Sequence, residues 1–131
     1  MTTKEEHINF WLDQAKDDWE AVNTLLLGKK YLQALFFAHL VIEKICKAIW
    51  IRDNDSNIPP KTHNLIYLIS QTRLKHEEEK DDFLLNLNRF QLEGRYPDYI
   101  SKMRQICDKE FTNEMIDKTN KIRLWLLENL Q

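Results

Sequence analysis

The chain has 131 residues, 43% of them hydrophobic and 31% charged, a balance that lets a core form without disulfide or metal staples and argues against a disordered or membrane-embedded class. A formal net charge of -2 supplies no overall field for gathering nucleic acid or anionic membrane, so any anion site must be local. Only two Gly and three Pro occur, and both residue types break helix interiors, so the composition predicts mostly helix.

From Ile8, apolar residues recur at Trp11, Leu12, Ala15, Trp19, Val22 and Leu25 or Leu26 with charged residues between them, the period of an amphipathic helix. Thr3 and Glu6 have capping-box spacing, and Gly28 stands where a left-handed residue would end the helix, so a first helix is predicted over roughly Lys4 to Leu27. The next stretch, YLQALFFAHLVIEKICKAIWIRD, is apolar around more than half its circumference, with interior charges only at Glu43, Lys44 and Lys47, and reads as the central helix. So short a connection predicts that the two pack antiparallel. Pro59-Pro60 among Asn, Asp and Ser makes Asn54 to Lys61 a loop, after which Thr62 is placed to cap a short helix carrying Leu65, Leu68 and Ile69. The run KHEEEKDD reads as the solvated start of the next helix, with Phe83, Leu84, Leu87 and Phe90 on its apolar face and Gly94 and Pro97 stopping it. Tyr99 to Phe111 is open between loop and short helix, and Thr112 is placed to cap a last helix with Ile116, Thr119, Ile122 and Leu126 facing inward. The sum is an all-α, up-and-down four-helix-type bundle with one or two additional short helices, in a single domain over residues 1–131. MTTKEEHINFW lacks the apolar run of a secretory signal, and no window approaches the roughly 20 apolar residues of a spanning helix, so a cytoplasmic protein without membrane contact is expected. Cys46 and Cys107 read as buried or idle thiols.

Charges on the central helix are the first candidates for chemistry. Glu43 and Lys47 are four apart with the acid first, the favourable order for a helical ion pair. With Lys44 they are costly to bury unless paired or used at an opening, so a structural pair and an anion site are both open. His39 shares a face with Glu43, but two ligands do not make a metal site, and neither metal nor cofactor is expected. His63 begins the short helix, where capping is the favoured role and a bond to the end of the central helix or to an anion the alternative. Arg95-Tyr96-Pro97-Asp98-Tyr99 combines a fork-shaped cation, two hydroxyl aromatics and an acid on a proline-stiffened turn. Arg can hold phosphate there while Tyr stacks on a base; equally, Arg95 can pair with Asp98 or Glu43 and lock the turn. Trp11, Trp19, Trp50 and Trp125 read as core, and Arg52, Lys61, Arg89, Lys102 and Arg104 are scattered unless the fold gathers them beside Arg95.

AHLVIEKICKAIW, PPKTHNL and GRYPDY, in this order, with Tyr31 and Ala34 upstream and FTNEMIDKTNKIRLWL at the end, resemble the HEPN family of helical domains. The likeness is greatest to small stand-alone members encoded beside a minimal nucleotidyltransferase. The resemblance implies an up-and-down bundle that forms a homodimer, with functional polar residues near the dimer cleft and a nucleotidyltransferase partner in a toxin-antitoxin-type pair. It also implies a nucleotide or RNA ligand. Some HEPN proteins are metal-independent ribonucleases that carry Arg followed, after four to six residues, by His. Here the corresponding positions after Arg95 hold Ile100, Ser101 and Lys102, and no His follows His76. The leading expectation is therefore a nucleotide- or partner-binding module using Arg95, Tyr96, Asp98, Lys47, His63, Lys44 and Glu43. One alternative is a ribonuclease in which Arg95 works with His63 or His39; another is a structural dimeric bundle without ligand. Tyr96 and Tyr99 are the nearest tyrosines for the modification that the nucleotidyltransferase makes in related proteins.

Overall fold

Thr3 starts the first helix: its hydroxyl accepts from the Glu6 N–H at 3.1 Å and donates to the Glu6 carboxylate at 3.1 Å, satisfying a donor that the helix leaves open. The computed structural model describes residues 3–131. Helix α1 spans Lys4–Leu27, and its inner face buries Ala15 and Val22. Its end corrects one expectation. Gly28 stays at φ -82, and the left-handed residue is Lys29 at φ 59. Gly28 is the C-cap and the left-handed residue comes one position after it, so Lys29 N–H bonds Leu26 O and Lys30 N–H bonds Leu25 O, the paired bonds of a Schellman cap.

Helix α2, Tyr31–Asp53, runs antiparallel to α1, as three cross-links in reverse order establish. Lys4 Nζ donates to the Ile51 and Asn54 carbonyls, the Lys47 ammonium lies over the Trp11 ring, and Lys44 pairs with Asp18. The Lys4 bonds also satisfy carbonyls left open at the C-terminal end of α2. Leu35, Ile42, Ile45 and Ile49 of α2 are fully buried, each contributing about 1.5–3 kcal/mol by transfer from water. The last helix, α6 (Lys109–Glu128), packs on α2 as well, making α2 the central element.

The short helices depart from the sequence reading at their ends. Helix α3, Leu65–Ser70, is capped by Asn64, whose side chain accepts from Tyr67 N–H at 3.1 Å. Thr62 instead accepts from Asn64 N–H, because its hydroxyl reaches only two residues ahead and shapes the turn before the helix. Helix α4, Glu78–Asn88, stops well before Gly94. Three successive i to i+3 bonds, from Arg89, Phe90 and Gln91 back to Asn86, Leu87 and Asn88, tighten its end and turn Phe90 into the core. Gly94 takes φ 74 in the turn that follows. Pro97 opens helix α5, Pro97–Ile106, which resolves the ambiguous stretch as helix around buried Met103. Helix α6, Lys109–Glu128, is capped by Asp108, which accepts from Phe111 N–H at 2.8 Å. Thr112 is buried within that helix rather than capping it, while Ile116, Thr119, Ile122 and Leu126 face inward as expected.

The all-α bundle is thus confirmed. Both thiols are free and buried; burial pushes Cys46 up to about 12 and Cys107 up to about 11. Trp50 is buried with its indole N–H on Gln71, whereas Trp11, Trp19 and Trp125 are half-buried beneath Lys47, Arg123 and Lys80. Among the described residues no helix is long and apolar enough to cross a membrane.

Candidate functional site

One stripe of α2 carries His39, Glu43 and Lys47 on successive turns, and all three are buried. Lys47 Nζ donates to Glu43 Oε2 at 3.1 Å. The other Glu43 oxygen meets His63 Nδ1 at 2.8 Å. His63 reaches mid-α2 because the loop through Pro59-Pro60 folds back along the helix. Its backbone is fixed as well, since the His63 carbonyl accepts from His39 Nε2 at 3.1 Å. A carbonyl only accepts, so Nε2 of His39 carries the proton. Burial holds His39 below its ordinary value, against the opposing pull of the Glu43 carboxylate, and its Nδ1 stands 3.9 Å from Glu43, beyond hydrogen-bond reach.

A second carboxylate closes on His63 from the opposite side. Asn88, the last residue of α4, accepts from Leu65 N–H at 3.0 Å, so the segment leaving α4 starts beside the His63 loop. Glu93 on that segment brings Oε2 to 2.9 Å from His63 Nε2. The imidazole therefore lies between a buried acid and an exposed one, with side-chain exposures of 4% for Glu43 and 66% for Glu93.

Two residues on, Arg95 stacks its guanidinium over the Tyr99 ring at 4.2 Å and donates from Nε to the Gln91 carbonyl at 3.3 Å. Tyr99 donates its hydroxyl to the Arg89 carbonyl at 2.6 Å, which ties α5 to the end of α4. Among the described residues Arg95 pairs with neither Asp98 nor Glu43, so of the two readings left open for it the carboxylate lock is not formed. Tyr96 is 83% exposed, and Asp98 is exposed beside it.

The candidate set consequently divides. Glu43, Lys47 and His63 form one network, and Glu93 joins it to the turn bearing Arg95, Tyr96 and Asp98. Lys44 stands apart, bonded to Asp18 at 2.6 Å on α1, because a neighbour one residue along points about 100° round the helix. His63 does not cap α3; Asn64 does, and the ring bridges acids instead. Of the scattered cations, Arg89 meets Tyr99 only through its backbone carbonyl and directs its guanidinium to Met103 Sδ, while Arg52 is taken up by Asp53.

Glu93, Asn88 and Trp11 belong to this constellation without having been singled out from sequence. Trp11 had a signal, since antiparallel pairing of α1 and α2 sets it opposite Lys47; Glu93 had none, lying in a segment that reads as helix tail. Asp53, at the end of α2, is a further buried acid. Burial raises its pKa, but bonds from Arg52, from Arg73 N–H and from the Arg73 guanidinium outweigh it and bring the carboxyl down to about 2.

Among the described residues no group of three or more His, Cys, Asp or Glu is arranged to hold a metal ion. No curated protein and no solved structure matches the chain. The HEPN domain matches residues 8–130, nearly its whole length, and the chain belongs to the HEPN family.

Proposed function

We propose that the chain is a single-domain HEPN module that binds a nucleotide or RNA ligand as a homodimer and does not itself cut the nucleic acid. The observation that carries this reading is the state of Arg95. Arg95 is exposed, its guanidinium is held flat by Tyr99 and has no carboxylate partner among the described residues, and the residue that follows it, Tyr96, is exposed as well. A preorganised fork cation beside an aromatic face suits a phosphate and a base together.

Cleavage would need a group to move a proton near Arg95. Fully buried His39 cannot touch a ligand, and in the resting protein both ring nitrogens of His63 face carboxylates, of which the buried Glu43 stays on Nδ1. That arrangement supports binding over hydrolysis. In the pairing we propose, a minimal nucleotidyltransferase is the partner protein, the pair is of toxin-antitoxin type, and Tyr96 is the accessible tyrosine for modification. Lys47 and Glu43 act from behind, by fixing His63, and Asp98 borders the ligand.

Equilibrium binding of ATP, GTP and a short RNA, with the same RNA followed on a gel, tests the reading. Binding of at least one of them with the RNA intact is expected. RNA cleavage that disappears in Arg95→Ala, or no binding of any of the three, would overturn it.

A further inference from the structure

His63 is held in a fixed orientation. Glu43, itself fixed by Lys47 at 3.1 Å, grips Nδ1 at 2.8 Å, and the His63 carbonyl is tied to His39, so neither ring nor backbone is free to swing. That leaves Nε2 aimed away from α2 toward the segment bearing Glu93 and Arg95. A buried acid gripping one imidazole nitrogen, with the other presented outward, is a general way of aiming the outer nitrogen at a ligand.

What meets Nε2 is the chain's own carboxylate. Glu93 Oε2 lies 2.9 Å away on a side chain 66% exposed, carried by a turn whose next residue, Gly94, has a φ of 74. A histidine–carboxylate contact this exposed holds weakly and yields readily to competition. Arg95, one residue beyond Gly94, has no acid of its own among the described residues.

We infer that His63 Nε2 is an anion site occupied in the resting protein by Glu93, and that a phosphate-bearing ligand binds there by displacing the Glu93 carboxylate. Glu93 then acts as an internal stand-in for phosphate, keeping weak anions out and setting the affinity of the Arg95 turn. This inference rests on the proposed binding function and assigns it a second contact and a gate. A phosphate group is the fitting class, because it offers in place of the Glu93 carboxylate the same kind of anionic oxygen, close in sequence to the exposed Arg95 fork.

The test is a titration of wild type, Glu93→Ala and Glu93→Gln with inorganic phosphate, following the His63 ring signals by NMR, with His63→Gln introduced into each Glu93 variant. Removing Glu93 is expected to tighten phosphate about fivefold to tenfold, with the His63 signals moving on titration, and His63→Gln is expected to abolish the gain. Less than a twofold gain in both Glu93 variants, or a gain that survives loss of His63, would overturn the inference. Arg95-dependent nucleotide binding by wild type would persist in that event and keep the broader reading; absence of nucleotide binding by wild type would remove the broader reading instead.

Discussion

Lys47→Met removes the ammonium from the buried pair while keeping most of the aliphatic stem against Trp11. At 3.1 Å, and an effective dielectric near 20, the Lys47–Glu43 attraction is about 5 kcal/mol before desolvation is subtracted. Losing one partner leaves Glu43, with 4% of its side chain exposed, as a buried charge, and such losses cost about 3–5 kcal/mol. His63 remains on the other oxygen at 2.8 Å and softens the loss, so about 3 kcal/mol is expected. Urea unfolding reads this as a midpoint lowered by roughly 1.5 M at unchanged slope, for a slope near 2 kcal/mol/M. The double variant Glu43→Leu/Lys47→Met removes both charges and should return to within about 1 kcal/mol of wild type, since a well-packed apolar pair replaces a buried ion pair at little cost. A loss below about 1 kcal/mol for Lys47→Met, or a double variant no better than the single, would refute the description of this pair as buried and mutually dependent.

Stability should depend on pH through two groups of opposite protonation type. The folded pKa of His39 lies below its ordinary 6.5, so the unfolded chain takes up the proton first; stability is full above that value and declines as pH falls through it, and His39→Gln should flatten a calorimetric profile between about pH 7 and pH 5. Asp53 is held at about 2 against an ordinary 3.8, so its contribution, on the order of 2 kcal/mol, is present above 3.8 and lost as pH falls toward 2; Asp53→Asn should lower stability at neutral pH by a similar amount and remove that acid limb. Lys29→Gly, at φ 59, should raise stability by about 0.5–1 kcal/mol in urea unfolding, because glycine takes the left-handed conformation without the Cβ clash; no gain would mean the Schellman cap is not formed in solution.

The long helices were readable because their evidence repeats over many residues. In α1 and α2 each turn restates the apolar stripe, and the Gly28 and Pro59-Pro60 breaks bound them, so the limits Lys4–Leu27 and Tyr31–Asp53 follow. Helix ends rest on single hydrogen bonds, and there neighbouring candidates compete: Asn64 prevails over Thr62, and Asp108 over Thr112. Thr112 carried a usable warning, since it continues the buried stripe of Ile116, Thr119 and Ile122. In the candidate site, the Glu43–Lys47 pair was legible from its spacing. His63 on Glu43 was not, because it depends on how a proline-containing loop returns along α2, and Glu93 on His63 was not, because it depends on where α4 ends. The same early end of α4 leaves Arg95 on Tyr99 instead of on an acid, which no pattern in the turn sequence distinguishes.

The account turns most directly on Arg95. Calorimetric titration of wild type and Arg95→Ala with the nucleotide that binds best, alongside their thermal unfolding, should show at least a tenfold loss of affinity for the variant, with its unfolding temperature lowered by only a few degrees, because exposed Arg95 gives up one stacking contact and one hydrogen bond and makes no ion pair among the described residues. Equal affinity for the two proteins would contradict the account, moving the ligand away from this turn and removing the reason for reading the module as a nucleotide binder.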